Sequence, residues 1–115
     1  MHLILNSLIF DDDKVALSIL QELVDRMSFR IVLSVIDRAR NATQIASENQ
    51  LPLSSTYKKI RKLQAIGIVS IERIDIDDSG KRILYYRSRI KSVEFNATIN
   101  GVLLQFERND HARSK

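Results

Sequence analysis

The sequence predicts one α+β domain, with its helices first and its strands after. Two observations carry this. Apolar residues recur at helical spacing as far as Gly67 and alternate at strand spacing beyond it. A chain of 115 residues, 44% of them apolar, is also large enough for one real core and too small for two.

Residues 14–26 place Val15, Ile19, Leu20, Leu23 and Val24 on one side of a helix. Asp11, Asp12 and Asp13 precede it, where acids cap the first turn and complement the dipole. That role suits them better than a divalent-cation site. Ser28 is the expected cap of a second helix, with Ile31, Val32, Val35 and Ile36 inside. Asn41-Ala42-Thr43-Gln44 has the form of a capping box and opens a short third helix, which carries Ile45 and Ala46 and ends near Asn49. Pro52 then biases Leu51 to extended geometry. Ser54 or Ser55 is the expected cap of a fourth helix, through Tyr57, Ile60, Leu63 and Ile66 to its stop at Gly67.

Val69–Ile76 is rich in β-branched residues, Asp77-Asp78-Ser79-Gly80 is a turn, and Arg82–Ser88 alternates, which together predict a hairpin. A second hairpin follows. Val93, Phe95 and Ala97 alternate with polar neighbours, Asn100-Gly101 is the expected two-residue turn, and Val102, Leu104 and Phe106 alternate after it. Asn100-Gly101 would sit in the middle of a C-terminal helix, which favours the hairpin. The expected organisation is therefore an N-terminal segment and helix (1–27), a central unit (28–90), a C-terminal hairpin (91–110) and a frayed tail (111–115).

Charge is distributed unevenly. Residues 1–57 hold five Lys/Arg against seven Asp/Glu, whereas residues 58–115 hold thirteen against seven. A basic half suits a polyanion, because neutralised phosphates release counterions and drive binding. The chain contains no cysteine, which excludes disulfides, thiolate metal sites and cysteine nucleophiles and fits a reducing cytoplasm. No apolar run is long enough for a membrane span. The apolar stretch at Met1–Phe10 has no preceding cation and runs into three acids, so no secretory signal is expected. No Ser/His/Asp set, Gly-rich phosphate loop or Glu/His metal spacing occurs, and no enzymatic activity or cofactor is expected.

Two short helices joined by a tight turn and followed by a hairpin have the order of a winged helix-turn-helix. Projected as a helix, residues 54–66 turn Thr56, Ile60 and Leu63 inward. Ser54, Ser55, Lys58, Arg61 and Lys62 face away, with Lys59 and Tyr57 on opposite flanks. This span contains four cations and no acid, whereas a merely solvated helix would normally mix in Glu or Asp. The pattern predicts a surface that reads double-stranded DNA. Ser54, Ser55 and Thr56 sit where backbone amides can hold a phosphate. Lys58 and Lys62 are placed for base edges or phosphates, and Lys59, Arg61 and the Tyr57 hydroxyl for the backbone. Thr43 and Gln44 on the preceding helix, and Lys81 and Arg82 at the wing tip, complete the expected contacts, though Asp77 and Asp78 weaken the field at that tip. Tyr85, Tyr86, Phe95 and Phe106 could stack on single-stranded bases, but at strand spacing they fit core or interface better.

From Arg30 to Arg87, about half the chain, the residues resemble the winged-helix domain of the ArsR/MarR-like transcription regulators, especially the small archaeal ones. The resemblance runs through Ala42-Thr43-Gln44-Ile45-Ala46, Leu51-Pro52-Leu53-Ser54-Ser55-Thr56-Tyr57-Lys58-Lys59-Ile60-Arg61-Lys62-Leu63, Ala65-Ile66-Gly67-Ile68-Val69 and Leu84-Tyr85-Tyr86-Arg87. It implies a homodimer reading two half-sites in the cytoplasm at the nucleoid, with Ser54–Lys62 as the recognition helix. Residues 14–26 and 91–108 are the expected dimer contacts. Two departures matter. Many relatives carry Gly in the turn where this chain has Glu48-Asn49-Gln50, and of these Asn49 tolerates left-handed geometry best. Metal-sensing relatives use Cys-rich or His-rich sites, whereas this chain has only His2 and His111 near opposite ends, so no metal sensing is expected. The full expectation is an α+β winged helix-turn-helix with an extra N-terminal helix and a C-terminal β-hairpin, which binds DNA and blocks or recruits the transcription machinery. The rival expectation is a winged-helix protein–protein module without base readout, and a third is an RNA-binding module.

Overall fold

The computed structural model describes residues 2–4 and 7–10 by their backbone and residues 12–109 in full. Asp11 and the expected tail, His111–Lys115, lie outside the described residues, as does the side chain of His2. The fold is α+β, with four helices and two small antiparallel sheets among the described residues. In chain order these are β1 (His2–Ile4), β2 (Ser7–Phe10), α1 (Asp13–Leu23), α2 (Arg26–Ser34), β3 (Arg40–Asn41), α3 (Ala42–Asn49), α4 (Leu53–Ala65), β4 (Val69–Ile76), β5 (Arg82–Ser88), β6 (Ile90–Thr98) and β7 (Gly101–Arg108). None of the described helices is long and apolar enough to cross a membrane.

The helix boundaries follow local capping chemistry. The Asp12 carboxylate accepts from the Val15 amide at 3.1 Å and starts α1, as the acidic run predicts. Helix α1 stops at Leu23, earlier than expected, because the extended Asp25 opens α2. The cap of α2 is Asp25, not Ser28: its carboxylate accepts from the Ser28 amide at 3.0 Å. An anion there meets both the free amide and the positive end of the dipole. Ser28 is instead fully buried, and its hydroxyl donates to Glu22 at 3.0 Å. The capping box of α3 forms as expected, with Asn41 accepting from the Gln44 amide at 2.8 Å and Gln44 accepting from the Asn41 amide at 2.9 Å.

Two turns differ from expectation. The left-handed residue after α3 is Gln50 (φ 55°), not Asn49. Asn49 stays helical because its side chain donates to the Ile45 carbonyl at 2.9 Å, while Arg30 donates to the Asn49 carbonyl at 2.8 Å. The cap position of α4 is Pro52, so neither Ser54 nor Ser55 caps it. Proline fixes φ near the helical value, which lets the helix begin at Leu53, two residues sooner than a Ser54 cap would allow. Gly67 ends α4 at φ +83° as expected, and the Ile68 amide behind it donates to the Leu63 carbonyl at 2.9 Å.

One sheet has the order β3-β5-β4. The hairpin runs from Val69 opposite Ser88 to Ile76 opposite Arg82, with an extra residue, Glu72, bulging from β4. Strand β3, unexpected from a two-residue stretch, pairs Arg40 with Tyr86 and Asn41 with Tyr85. The other sheet has the order β1-β2-β7-β6. Its β6–β7 hairpin confirms the strand prediction, but the loop is Ile99-Asn100, because Thr98 pairs with Gly101. Gly101 takes φ +130°, and a Cβ there would lie 3.2 Å from Asp13 Oδ1. That carboxylate accepts from the Val102 amide at 3.0 Å, so the glycine serves the approach of β7 to the start of α1. Strands β1 and β2 were not expected; they add to this sheet through Leu8 opposite Phe106.

Ile19 and Leu23 of α1, Ile31 and Val32 of α2, Ile45 of α3, Ile60 and Leu63 of α4, and Leu104 and Phe106 of β7 share one buried cluster. One core therefore serves both sheets, and the hairpin 91–108 packs on the same body.

The chain passes between sheets at Arg87–Ile90, where polar bonds concentrate. Arg87 is buried; it donates to the Ile36 carbonyl at 2.9 Å, the Asp37 carbonyl at 2.9 Å and Glu72 at 3.0 Å. The bulge in β4 is what turns Glu72 towards that guanidinium. Asn109 closes the junction, donating to the Ile36 carbonyl at 2.8 Å and the Ser88 carbonyl at 3.0 Å. This network ties the β4–β5 hairpin to the end of α2.

Candidate nucleic-acid interface

Helix α4 is held by its aliphatic underside. Thr56, Ile60 and Leu63 are buried, which fixes the rotation of the helix and turns the opposite face outward. Ser54, Lys58, Arg61 and Lys62 are exposed on that face, and Ser55 is half-buried at its edge. Lys58, Arg61 and Lys62 have no ion-pair partner among the described residues. Tyr57 is 41% exposed on the flank. It lies close to Tyr86 of β5, whose phenol is pushed up by burial and by Tyr57, with Arg61 opposing.

Two expected contact residues are employed otherwise. Thr56 is fully buried, and its hydroxyl donates back to the Pro52 carbonyl at 2.9 Å, so the side chain is part of the core. Its amide donates to the same carbonyl at 3.0 Å, so the expected role of that amide in holding a phosphate does not stand. Lys59 turns to α2 and pairs with Asp25 at 3.2 Å. The Asp25 carboxyl is held below the ordinary carboxylate range, chiefly by the Ser28 amide and then by Lys59, with desolvation opposing. Lys59 thus fastens α4 to the start of α2, and the helix carries three free cations rather than four.

Pro52 supplies no side-chain cap, so the Leu53, Ser54 and Ser55 amides that open α4 have no acceptor among the described residues. Ser54 and Ser55 stand beside those amides. On α3, Thr43 and Gln44 are exposed. The Gln44 side-chain oxygen is committed to the capping box, which leaves its NH2 group outward as a donor.

The hairpin places Lys81 and Arg82 at its exposed tip. Val69–Ile76 rises about 3.3 Å per residue, so that tip lies roughly 25 Å along the strand from the end of α4. Lys81 and Arg82 therefore form a patch separate from the α4 face. Asp77 in the turn accepts from the Ser79 hydroxyl at 2.7 Å and from the Lys81 amide at 2.9 Å. These bonds, Ser79 first, hold its carboxyl below the ordinary range and keep a negative charge beside the two cations.

A further cation was missed. Arg73 stacks on the Tyr85 ring at 3.9 Å and stands 3.5 Å from Asp75, part-way along the hairpin. The bulge at Glu72 shifts side-chain parity and sets Arg73 directly opposite Tyr85, which simple alternation does not foresee. Of the four aromatic residues at strand spacing, Tyr86 and Phe106 are buried and Tyr85 is covered by Arg73, whereas Phe95 is exposed on β6. No group of three or more His, Asp or Glu that could hold a metal occurs among the described residues. No family model matches the chain, and no curated protein matches its sequence.

Proposed function

We propose that residues 28–90 form a winged helix-turn-helix domain that binds double-stranded DNA, and that the protein is a sequence-specific transcription regulator. In this reading α3 and α4 are the paired helices, α4 enters the major groove, and the β4–β5 hairpin is the wing. One observation carries it: the outward face of α4 holds Lys58, Arg61 and Lys62 without an acid on the helix or an ion-pair partner among the described residues. Three cations on a rigid helix make a concentrated positive strip, which is costly to leave without anions. The uncapped first turn of α4 adds amide donors for a phosphate at the same helix. Lys58 and Lys62 are assigned to base edges or adjacent phosphates, Arg61 and Tyr57 to the backbone, and Lys81 and Arg82 to phosphates further along the duplex.

The test is duplex binding by fluorescence anisotropy across a salt series, starting from random duplex and proceeding to selected fragments. Affinity that falls steeply and linearly on a log–log plot against salt supports the proposal. Salt-insensitive binding to a protein, with no affinity for duplex, would replace it with an interaction module.

A further inference from the structure

The two sheets end in edge strands of opposite character. Strand β4 carries Glu72, Arg73 and Asp75 and is broken by a bulge, devices that deter strand addition. Strand β6 has its bulge and Lys91 only at its start, between Ile90 and Ser92, and little of this beyond. From Ser92 to Thr98 it pairs regularly with β7, contains no proline, and carries a single charge, Glu94. Residues 91–98 are all exposed, and the outer edge of β6 has no neighbouring strand among the described residues.

Its apolar residues point the wrong way for a solvent-facing edge. Val93 stands opposite Phe106, Phe95 opposite Leu104, and Ala97 opposite Val102. Phe106 and Leu104 are buried beneath the helices, so Val93 and Phe95 continue the same core-facing side beyond helical cover, at 37% and 42% exposure. Across from Val93 runs an apolar groove of about 610 Å³ between the first half of β6 (Ile90 to Val93) and the α1–α2 corner, and Phe95 continues the strand beyond it. Its far wall includes Val24, Phe29 and Leu33, which are 69%, 50% and 52% exposed.

From this we infer that β6 pairs antiparallel with β6 of a second copy of the chain, about a two-fold axis at Phe95. The joint sheet is eight-stranded, with the helices of both copies on one side of it. Antiparallel pairing about a perpendicular axis keeps each residue on its own face, so apolar meets apolar. Centred on Phe95, the register sets Phe95 against its copy, Val93 against Ala97, Glu94 against Asn96 and Ser92 against Thr98. Centred one residue earlier, it would oppose two Glu94 carboxylates directly, which is destabilising. Lys91 lies four residues from the axis, about 13 Å along the strand, so the copies' like charges stay apart.

The eight exposed residues 91–98 of β6 and the six accessible ones on the helical wall of the groove (Leu20, Val24, Arg26, Phe29, Leu33 and Ile36) make a smaller face than the roughly 20–30 residues per partner of a standard interface, and the main-chain hydrogen bonds of the joined strand edge add to it. A small apolar ligand would fill the groove but leave the strand edge open. A second copy closes both. This inference supplies a partner for a DNA reader and does not depend on DNA reading.

The experiment is sedimentation equilibrium of the whole chain without DNA, at about tens of micromolar, a range in which interfaces of this class associate. The expected mass is twice 13.2 kDa. Val93→Lys with Phe95→Lys, both at exposed positions, is expected to give 13.2 kDa with an unchanged circular dichroism spectrum. The chain lacks cysteine, so Phe95→Cys with a short bis-maleimide gives a clean second readout: most of the protein cross-links, whereas Ile74→Cys on the β4 edge does not. Wild type at 13.2 kDa, a dimer that survives the double lysine change, or cross-linking at Ile74 rather than Phe95 would each overturn the proposal. So would a monomer carrying an apolar ligand in the groove. Lys58→Ala with Lys62→Ala is expected to leave the mass doubled, which separates this outcome from failure of DNA binding.

Discussion

Replacing Lys58 and Lys62 together by alanine removes two of the three free cations on the outward face of α4. Each cation that neutralises a phosphate contributes about 0.9 to the slope of log affinity against log salt. Between 1 M and 0.15 M salt each such contact is then worth roughly a factor of five, and two are worth about 30-fold. That is about 2 kcal/mol. The predicted outcome is a loss near 30-fold for random duplex at 0.15 M salt, with the salt slope lower by about 1.8. Fluorescence anisotropy across salt measures both, and thermal unfolding confirms that stability is unmoved, since both side chains are exposed. Lys59→Ala is the internal control. Lys59 is paired with Asp25 at 3.2 Å, so its removal is predicted to leave the salt slope nearly intact. Unchanged affinity in the double variant, or an equal fall of slope in the control, would refute the assignment of α4.

Three further outcomes are predicted for stability. Leu63→Ala removes a side chain with no solvent exposure from under α4 and is expected to cost about 2–5 kcal/mol in chemical denaturation. Arg87→Met keeps the aliphatic stem but leaves the Ile36 and Asp37 carbonyls without their guanidinium partner. A loss of about 3 kcal/mol is expected, with faster amide exchange in residues 82–86; protection unchanged there would show that Arg87 does not anchor the hairpin. Asp25→Asn keeps a capping oxygen but cannot titrate, whereas Asp25→Ala is expected to cost about 1 kcal/mol. Because the folded state holds the Asp25 carboxyl below its ordinary value of 3.8, its contribution is present above that pH and is lost as pH falls through the depressed value. Denaturation against pH should therefore show a shallower acid limb in Asp25→Asn, and an unchanged limb would exclude Asp25 as its source.

Most of the elements, and the outward face of α4, were legible in the sequence because they depend on local periodicity and capping. The 3.6-residue spacing of Thr56, Ile60 and Leu63 dictates which side of α4 is buried, whatever the rest of the chain does. The capping box at Asn41–Gln44, the break at Pro52, the stop at Gly67 and the period change beyond it are equally local, and each holds. What escaped was set by distant partners. Lys59 and Lys58 are indistinguishable as letters; only the placement of Asp25 beside α4 makes Lys59 a tie. Gly101 reads as half of a turn until Asp13, far away in sequence, comes within reach of it. Strands β1, β2 and β3 are too short to declare a period and exist because β7 and β5 offer them backbone partners. The open edge of β6 follows the same rule: alternation shows which residues share a face, but only the order of strands decides that no neighbour covers them. Local chemistry thus determined the helices and hairpins and the rotation of α4 about its axis. Tertiary packing alone decided which cations stay free and which edge stays open, because pairing energy depends on what the fold brings within a few ångströms.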